Sequence, residues 1–149
     1  MRLLSAAGIS FTFKEYPVDE SDLSALRVAE FLGIQAEQIF KTLVLQGASG
    51  NCTVCCIPSS TELNLKKTAR ATGEKSIDLV PVKEIQPLTG YIRGGCSPIG
   101  MKKQYPTFID ETAQLFDTIG VNAGERGILI FLAPEELAGF ISARFMDLV

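Results

Sequence analysis

The chain has 149 residues, of which 46% are hydrophobic and 21% are charged, and its formal net charge is −3. This length and composition are typical of one globular domain, which we expect to span residues 1–149. The slightly acidic balance disfavours a general nucleic-acid binder, and no apolar run approaches the roughly 18 residues that would cross a bilayer. We therefore expect a cytoplasmic protein without a membrane partner.

The first half of the chain predicts a helical turn, a strand, a helix, a β-hairpin and a further helix. Ser, Asp and Asn are preferred at helix N-caps, and Gly is preferred just after the last turn. Gly47 and Gly50 separate two apolar runs, which is the pattern of a hairpin. The predicted elements cover residues 2–7, residues 11–16, the segment from Ser21 or Asp22 to Leu32, residues 39–57, and the segment from Asn64 to Gly73.

The second half predicts mainly strands. A short helix at residues 82–86 follows Pro81, and a last helix begins at Pro134, because proline is favoured in the first turn of a helix. Because strands outnumber helices and come in adjacent pairs, we expect an α+β fold with a mixed, largely antiparallel central sheet and surrounding helices. The predicted strands are residues 76–80, 91–92, 107–110, 116–121 and 126–132.

Residues 90–103, here called the glycine loop, have the sequence GYIRGGCSPIGMKK. Gly94 and Gly95 lack a Cβ, so they can adopt positive φ and let a ligand approach the backbone. Pro98 fixes its own φ and keeps Ser97 out of the α region. The N–H groups of such a turn can hold an anion or a carbonyl oxygen, although an ordinary turn has the same composition.

The chain has no histidine, which removes the commonest general base and the commonest metal ligand. Cys52 and Cys55 form a C-x-x-C, a pattern that can indicate zinc binding or redox chemistry. Here they lie in a predicted buried strand, where positions 52 and 55 face opposite sides, as do Cys55 and Cys56. We therefore expect these thiols to pack in the core, and we expect neither a metal site nor a cofactor.

Lys41 lies inside an otherwise apolar run, IFKTLVL at residues 39–45. On a strand it would share a face with Ile39 and Leu43, where an ammonium is costly unless it is paired or borders a pocket. An edge strand, or a side chain that reaches out to solvent, would also explain it. The functional interpretation is a lysine at the rim of a pocket, with the hydroxyl of Thr42 beside it.

Six short motifs, in this order, resemble the YbaK/EbsC family of aminoacyl-tRNA deacylases, a family related to the editing domain of bacterial prolyl-tRNA synthetases. The resemblance covers nearly the whole chain and includes the family's G-x-x-x-P loop at residues 94–98. The motifs lie at residues 40–43, 63–67, 89–91, 94–100, 107–110 and 124–127.

This resemblance implies an enzyme that removes a wrongly attached amino acid from the 3′ end of a tRNA, chiefly the tRNA for proline. Lys41 would be the essential polar group, and N–H groups near Gly94 would hold the ester carbonyl. The implied partners are the acceptor end of an aminoacyl-tRNA and prolyl-tRNA synthetase. The other implied substrate contacts are Tyr16, Thr42, Gly95, Ser97, Pro98 and Asn122.

The amino acid that is removed stays open. In cysteine-specific members the substrate's own thiol attacks the ester and leaves as a cyclic thiolactone, a lyase-like release that requires no nucleophile from the enzyme. The chain departs from those members at Ser24, Asn122 and Leu129, where a phenylalanine, a serine and an aspartate are expected. Cysteine, alanine or another small residue therefore remain candidates. The alternative function is a non-catalytic tRNA- or synthetase-binding module that keeps the fold.

Overall fold

The computed structural model describes residues 1–18, 25–92 and 95–149. The α-helices of these residues are α1 (Arg2–Ala6), α2 (Ala25–Leu32), α3 (Leu65–Thr72), α4 (Val82–Thr89) and α5 (Pro134–Ile141). The strands are β1 (Thr12–Glu15), β2 (Phe40–Gly47), β3 (Cys52–Pro58), β4 (Ile77–Leu79), β5 (Thr107–Asp110), β6 (Ile119–Asn122), β7 (Ile128–Leu132) and β8 (Arg144–Met146). None of the described helices is long and apolar enough to cross a membrane.

The strands form two sheets. In the three-stranded sheet, β7 lies between β1 and β6 and pairs antiparallel with both. The five-stranded sheet has the order β4-β2-β3-β5-β8, in which β2 pairs antiparallel with β4 and β3, while β5 pairs parallel with β3 and β8. The sheets meet where Ile39 forms a parallel bridge with Gly120. The predicted α+β fold with mixed, largely antiparallel pairing is confirmed, and its strands are divided over two sheets.

The hairpin predicted from two apolar runs is confirmed as β2 and β3. Its turn is closed by the N–H of Gly47, which donates to the carbonyl oxygen of Asn51 at 3.0 Å. On β3, Cys55 and Cys56 are completely buried, as expected for thiols that pack in the core. Cys52, at the start of the strand, is only half-buried, and all three are free thiols.

Two predicted helices have the termini that the sequence indicates. In α3, the side-chain oxygen of Asn64 accepts a hydrogen bond from the N–H of Lys67 at 3.1 Å, and Gly73 follows the last turn with a φ of +76°. Pro134 begins α5. The caps predicted for α2, Ser21 and Asp22, lie outside the described residues.

Two predictions next to the glycine loop are wrong. Helix α4 does not end at Gln86 but continues through Pro87 to Thr89. Its last turn is completed because the N–H of Gly90, at a φ of +85°, donates to the carbonyl oxygen of Gln86 at 2.8 Å, although Pro87 contributes no N–H. Residues 91–92 belong to no strand, so the glycine loop follows the end of a helix.

The predicted strands of the second half differ mainly at their boundaries. Residues 111–115, before β6, form a 3-10 helix, and β6 and β7 begin two or three residues later than predicted. Strand β8 is not indicated by the sequence, because it is a short edge strand with no turn signal before it. The largest core cluster lies between the sheets and α5, and a smaller one joins α2 to β7.

Candidate active site

A cavity of about 440 Å³ lies beside β2, close to where the two sheets meet. Residues 39–44 form one wall of the cavity, and other lining residues come from α2, β4, α4, β7 and the end of β6. At one end of this wall Ile39 bridges to Gly120, and at the other the N–H of Val80 donates to the carbonyl oxygen of Val44 at 3.0 Å. A cavity of this size is typical of small-ligand sites.

Lys41 is a half-buried residue in this wall, and its neighbours Ile39 and Leu43 line the same cavity. Strand β2 is the second of five strands, but it pairs with β4 only at residues 45–47, so among the described residues it has no ladder partner on that side at Lys41, and the edge-strand interpretation stays open. Within the described part of the chain, its ammonium has neither a hydrogen bond nor an ion pair. An ammonium in an apolar wall without a fixed partner is available to an oxygen of a ligand.

Thr42, the next residue, also lines the cavity. It lies opposite Cys56 in the β2–β3 pair, and the Thr42 Oγ1 is 3.8 Å from the Cys56 Sγ. This weak hydrogen bond holds the hydroxyl towards β3.

The glycine loop contributes the half-buried Cys96 to the cavity wall. Gly95, Ser97 and Pro98 are buried and are not part of this lining. The Ser97 Oγ accepts a hydrogen bond from the N–H of Ile99 at 3.2 Å, so this hydroxyl stabilises the loop itself.

The positive φ that the sequence suggests for Gly95 is not found. Within the described residues of the loop, positive φ angles occur instead at Gly90 and Gly100, which turn the chain at the start of the loop and near its end. Gly95 packs closely against a neighbouring backbone, so a Cβ at this position would be in tight contact with it. Gly94 lies outside the described residues, and so does Ser24.

Tyr16 and Asn122 line the cavity together with Lys41 and Thr42, so four of the predicted substrate contacts share one cavity. The N–H of Tyr16 donates to the carbonyl oxygen of Gly127 at 2.9 Å, which attaches the end of β1 to the turn before β7. The Asn122 Oδ1 accepts from the N–H of Gly124 at 2.8 Å.

The thiols near the site are weak acids. Burial raises the pKa of Cys96 to about 11, and a hydrogen bond with Thr89 only partly offsets this. Burial also raises the pKa values of Cys55 and Cys56 to about 12. These three thiols are therefore protonated at neutral pH, and a thiol is a much poorer nucleophile than a thiolate.

The described side chains that could ligate a metal ion do not form a metal site. Among the residues that the structure describes, no group of three or more Cys, Asp or Glu side chains lies close enough together to hold one.

Sequence reasoning missed the apolar part of the lining. It comes from α2 and from the segment that joins β4 to α4, where Leu79 and Val82 line the cavity although half of each side chain is exposed. Val82 and Ile85 are three residues apart on α4, so one face of the helix reaches the cavity. An apolar helix face beside an exposed apolar strand residue is the signal that could have indicated this lining.

Comparisons with known proteins show which family the chain resembles. The model of the aminoacyl-tRNA editing domain family matches residues 20–140. A protein of Enterococcus faecalis named "Putative Cys-tRNA(Pro)/Cys-tRNA(Cys) deacylase EbsC" is 45% identical over 148 residues, which cover 99% of this chain and 90% of that protein. A proline–tRNA ligase of Thermosipho africanus is 32% identical over 77 residues, which are 52% of this chain and only 14% of the ligase.

A solved structure supports the same relationship. The crystal structure of "a putative trans-editing enzyme for prolyl tRNA synthetase" is similar to this fold with a TM-score of 0.87 and 26% sequence identity, covering 99% of this chain and 92% of that one. The family match spans most of the chain, and the resemblance suggested by the six motifs is confirmed. The chain belongs to the aminoacyl-tRNA editing domain family.

Proposed function

We propose that this protein is a trans-acting aminoacyl-tRNA deacylase that clears a mischarged small amino acid, with cysteine as the first candidate, from the tRNA for proline. The observation that carries the proposal is that Lys41 and Cys96 of the glycine loop line one cavity in a member of the editing family. The whole chain, residues 1–149, would act as one editing domain.

The placement of Lys41 supports its role as the essential polar group. An ammonium that borders a cavity without a partner among the described residues can bind an oxygen that gains negative charge as the ester breaks. Such a preorganised charge is most effective in a water-poor, apolar setting, and residues such as Val28, Val80 and Leu129 provide that setting. Lys41 would therefore act by electrostatic stabilisation.

The protonated state of Cys55, Cys56 and Cys96 favours the thiol of the substrate as the nucleophile. In the proposed step, the sulfur of the attached cysteine bonds to its own carbonyl carbon, and the bond between that carbon and the tRNA oxygen breaks. The proton from the thiol ends on the released tRNA hydroxyl. The product is a cyclic thiolactone that water then opens, so the enzyme supplies positioning and charge rather than a nucleophile.

The choice of amino acid depends on the part of the cavity near Asn122 and Leu129, which face each other across the β6–β7 pair. Leu129 is buried, with 4% of its surface exposed, and offers no charge where cysteine-specific relatives are expected to have an aspartate. Asn122 is the polar group of this pair. An uncharged, small side chain fits this chemistry, which makes alanine the second candidate after cysteine.

The proposed partners are the acceptor end of the tRNA and prolyl-tRNA synthetase. The net charge of −3 makes strong binding of the tRNA body by this chain alone unfavourable. A synthetase that brings the tRNA would remove the need for such binding. The sequence similarity to part of a proline–tRNA ligase supports this partner.

The test is a deacylation panel with the tRNA for proline charged with cysteine, alanine, serine or proline. We expect rapid loss of the cysteinyl ester, slower or no loss of alanyl and seryl esters, and no loss of the prolyl ester. Rapid alanyl loss without cysteinyl loss would keep the deacylase and change its substrate. Hydrolysis of none of the four esters, with retained tRNA or synthetase binding, would support the non-catalytic binding module instead.

A further inference from the structure

Tyr91 connects the two arms of the glycine loop. Its N–H donates to the Thr89 Oγ1 at 3.0 Å, at the end of α4. Its own hydroxyl donates to the carbonyl oxygen of Ile99 at 2.5 Å, on the returning arm. Cys96, which lines the cavity, lies between these two attachment points in the sequence. The position of the loop at the cavity wall therefore depends on this side chain.

The ring of Tyr91 has a second contact, with the turn that follows β6. A Cβ built on Gly124 would be 2.8 Å from the Tyr91 Cε1, so the ring occupies the space that a side chain would need. The N–H of Gly124 in turn donates to the Asn122 Oδ1 at 2.8 Å, and Asn122 lines the cavity. The ring thus supports the turn that orients the Asn122 amide.

We propose that Tyr91 is a positioning residue for the deacylation proposed above, on which this inference rests. Its hydroxyl holds the glycine loop, and its ring holds the turn that orients Asn122, so one side chain sets two parts of the cavity wall. Burial raises the pKa of Tyr91 further above neutral, so the phenol is protonated and able to donate at neutral pH. The two functions of the side chain can be separated by substitution.

The chain offers a matched control in Tyr105. Its hydroxyl also donates to a backbone carbonyl oxygen, that of Leu88, at 2.8 Å, and both tyrosines are half-buried. Tyr105 lines a different cavity, with Cys52 and Glu74, that shares no lining residue with the first. Tyr91→Phe and Tyr105→Phe therefore remove the same kind of bond, but only the Tyr91 bond joins the two arms of the glycine loop, whereas Tyr105 lies just outside the loop with its ring centroid 5.7 Å from the Lys103 Nζ.

The experiment compares both variants with the wild type in steady-state deacylation of cysteinyl-tRNA and in thermal unfolding. We expect both phenylalanine variants to lose similar stability. We expect kcat of Tyr91→Phe to fall about tenfold to a hundredfold, because misplacement of about 1 Å has effects of that size. We expect Tyr105→Phe to keep its kcat. A wild-type kcat in Tyr91→Phe, or an equal fall in both variants, would overturn the proposal.

A third variant, Tyr91→Leu, tests the role of the ring. Tyr91→Phe keeps the ring on Gly124 and should leave the ratio of cysteinyl to alanyl deacylation unchanged. Tyr91→Leu should change that ratio in the same direction as Asn122→Ala. An unchanged ratio in a folded Tyr91→Leu would refute the part of the proposal that concerns Asn122. If Tyr91→Leu does not fold, the phenylalanine variant still decides the role of the hydroxyl.

A readout without tRNA separates this inference from the proposed function. Alkylation of Cys96 by iodoacetamide, followed by peptide mass mapping, reports how firmly the loop is held. We expect alkylation several-fold faster in Tyr91→Phe than in the wild type, with no acceleration in Tyr105→Phe. If the wild type hydrolyses none of the esters, the proposed function fails, and the alkylation rates still show whether Tyr91 holds the loop. Equal alkylation in all three proteins would refute that.

Discussion

Gly95 lies directly against the backbone of Glu125. A Cβ built on Gly95 would be 3.3 Å from the Glu125 Cα, closer than side chains normally approach a neighbouring backbone. Because the φ of Gly95 is outside the left-handed region, close packing rather than backbone strain favours glycine here. The glycine loop therefore packs against the turn of residues 124–127. The motif at residues 94–100 and the motif at residues 124–127 thus form one structural unit.

This contact predicts the effect of Gly95→Ala. The added methyl group would push the loop or the turn by a few tenths of an ångström, and overpacking of this kind costs about 1–3 kcal/mol of unfolding free energy. The N–H of Gly95 itself donates to the carbonyl oxygen of Ile92 at 3.0 Å. If other N–H groups of the loop hold the ester carbonyl, the displacement should also lower kcat by roughly a hundredfold. Thermal unfolding and single-turnover deacylation would measure both effects.

The control for this variant is Gly139→Ala. Gly139 lies in α5 with nothing within 4 Å of the Cβ position, so alanine should raise the stability by about 0.5–1 kcal/mol and leave turnover unchanged. A Gly95→Ala protein with wild-type turnover would show that the close packing of the loop against the turn of residues 124–127 does not affect the reaction.

Replacement of Lys41 by alanine should abolish deacylation without harming the fold. The ammonium lies in an apolar wall and has no partner among the described residues, so its removal should leave the melting temperature unchanged or raise it. Lys66→Ala, at an exposed position on α3, serves as the control for the loss of one positive charge. Near-normal turnover in folded Lys41→Ala would remove Lys41 from the mechanism.

The parts of the fold that the sequence predicts well have local signals. Asn64 and Gly73 mark both ends of α3 with side-chain and backbone chemistry that operates within a few residues. The course of α4 is different, because residues before proline disfavour helix and yet Gly90 closes the helix beyond Pro87. Strand β8 depends on pairing with β5, far away in the sequence, so no local pattern reveals it.

In the candidate site, too, some features have a local sequence signal and others depend on tertiary contacts. Lys41 stands out in the sequence because a charge interrupts an apolar strand, and it does lie at a cavity. Ser97 and Gly95 also stand out in the sequence. In the structure, the Ser97 hydroxyl accepts a hydrogen bond within the glycine loop, and Gly95 packs against the turn of residues 124–127. Residue types mark this loop as special, whereas only its tertiary contacts show which atoms face the cavity and which face the protein.

Deacylation should not require a metal ion. The chain has no histidine, and its described Cys, Asp and Glu side chains form no group that could hold one. We expect kcat to be unchanged after treatment with EDTA and removal of the chelator. Loss of activity that zinc restores would contradict this and would direct attention back to Cys52 and Cys55.

Stability should fall in alkaline solution because of the buried thiols. Burial raises the pKa values of Cys55 and Cys56 from 9.0 to about 12, so above pH 9 the unfolded chain loses protons that the folded protein keeps. The contribution of these protonated thiols to the unfolding free energy is therefore complete below pH 9 and is lost progressively as the pH rises towards 12. Urea unfolding of the wild type and of Cys56→Ala between these limits should show a shallower slope for the variant. Equal slopes would contradict the prediction.

Cys96→Ala should keep most of its turnover of cysteinyl-tRNA. Burial raises the pKa of Cys96 to about 11, so at neutral pH this thiol is protonated and is a poor nucleophile, although it lines the cavity. Iodoacetamide should accordingly modify it slowly at neutral pH and faster as the pH approaches 11, because the thiolate is the reactive form. Deacylation by the variant is measured beside Gly95→Ala with the same substrate. The reverse pattern, in which Cys96→Ala is inactive and Gly95→Ala is active, would make Cys96 the nucleophile, with the loop acting only as its support.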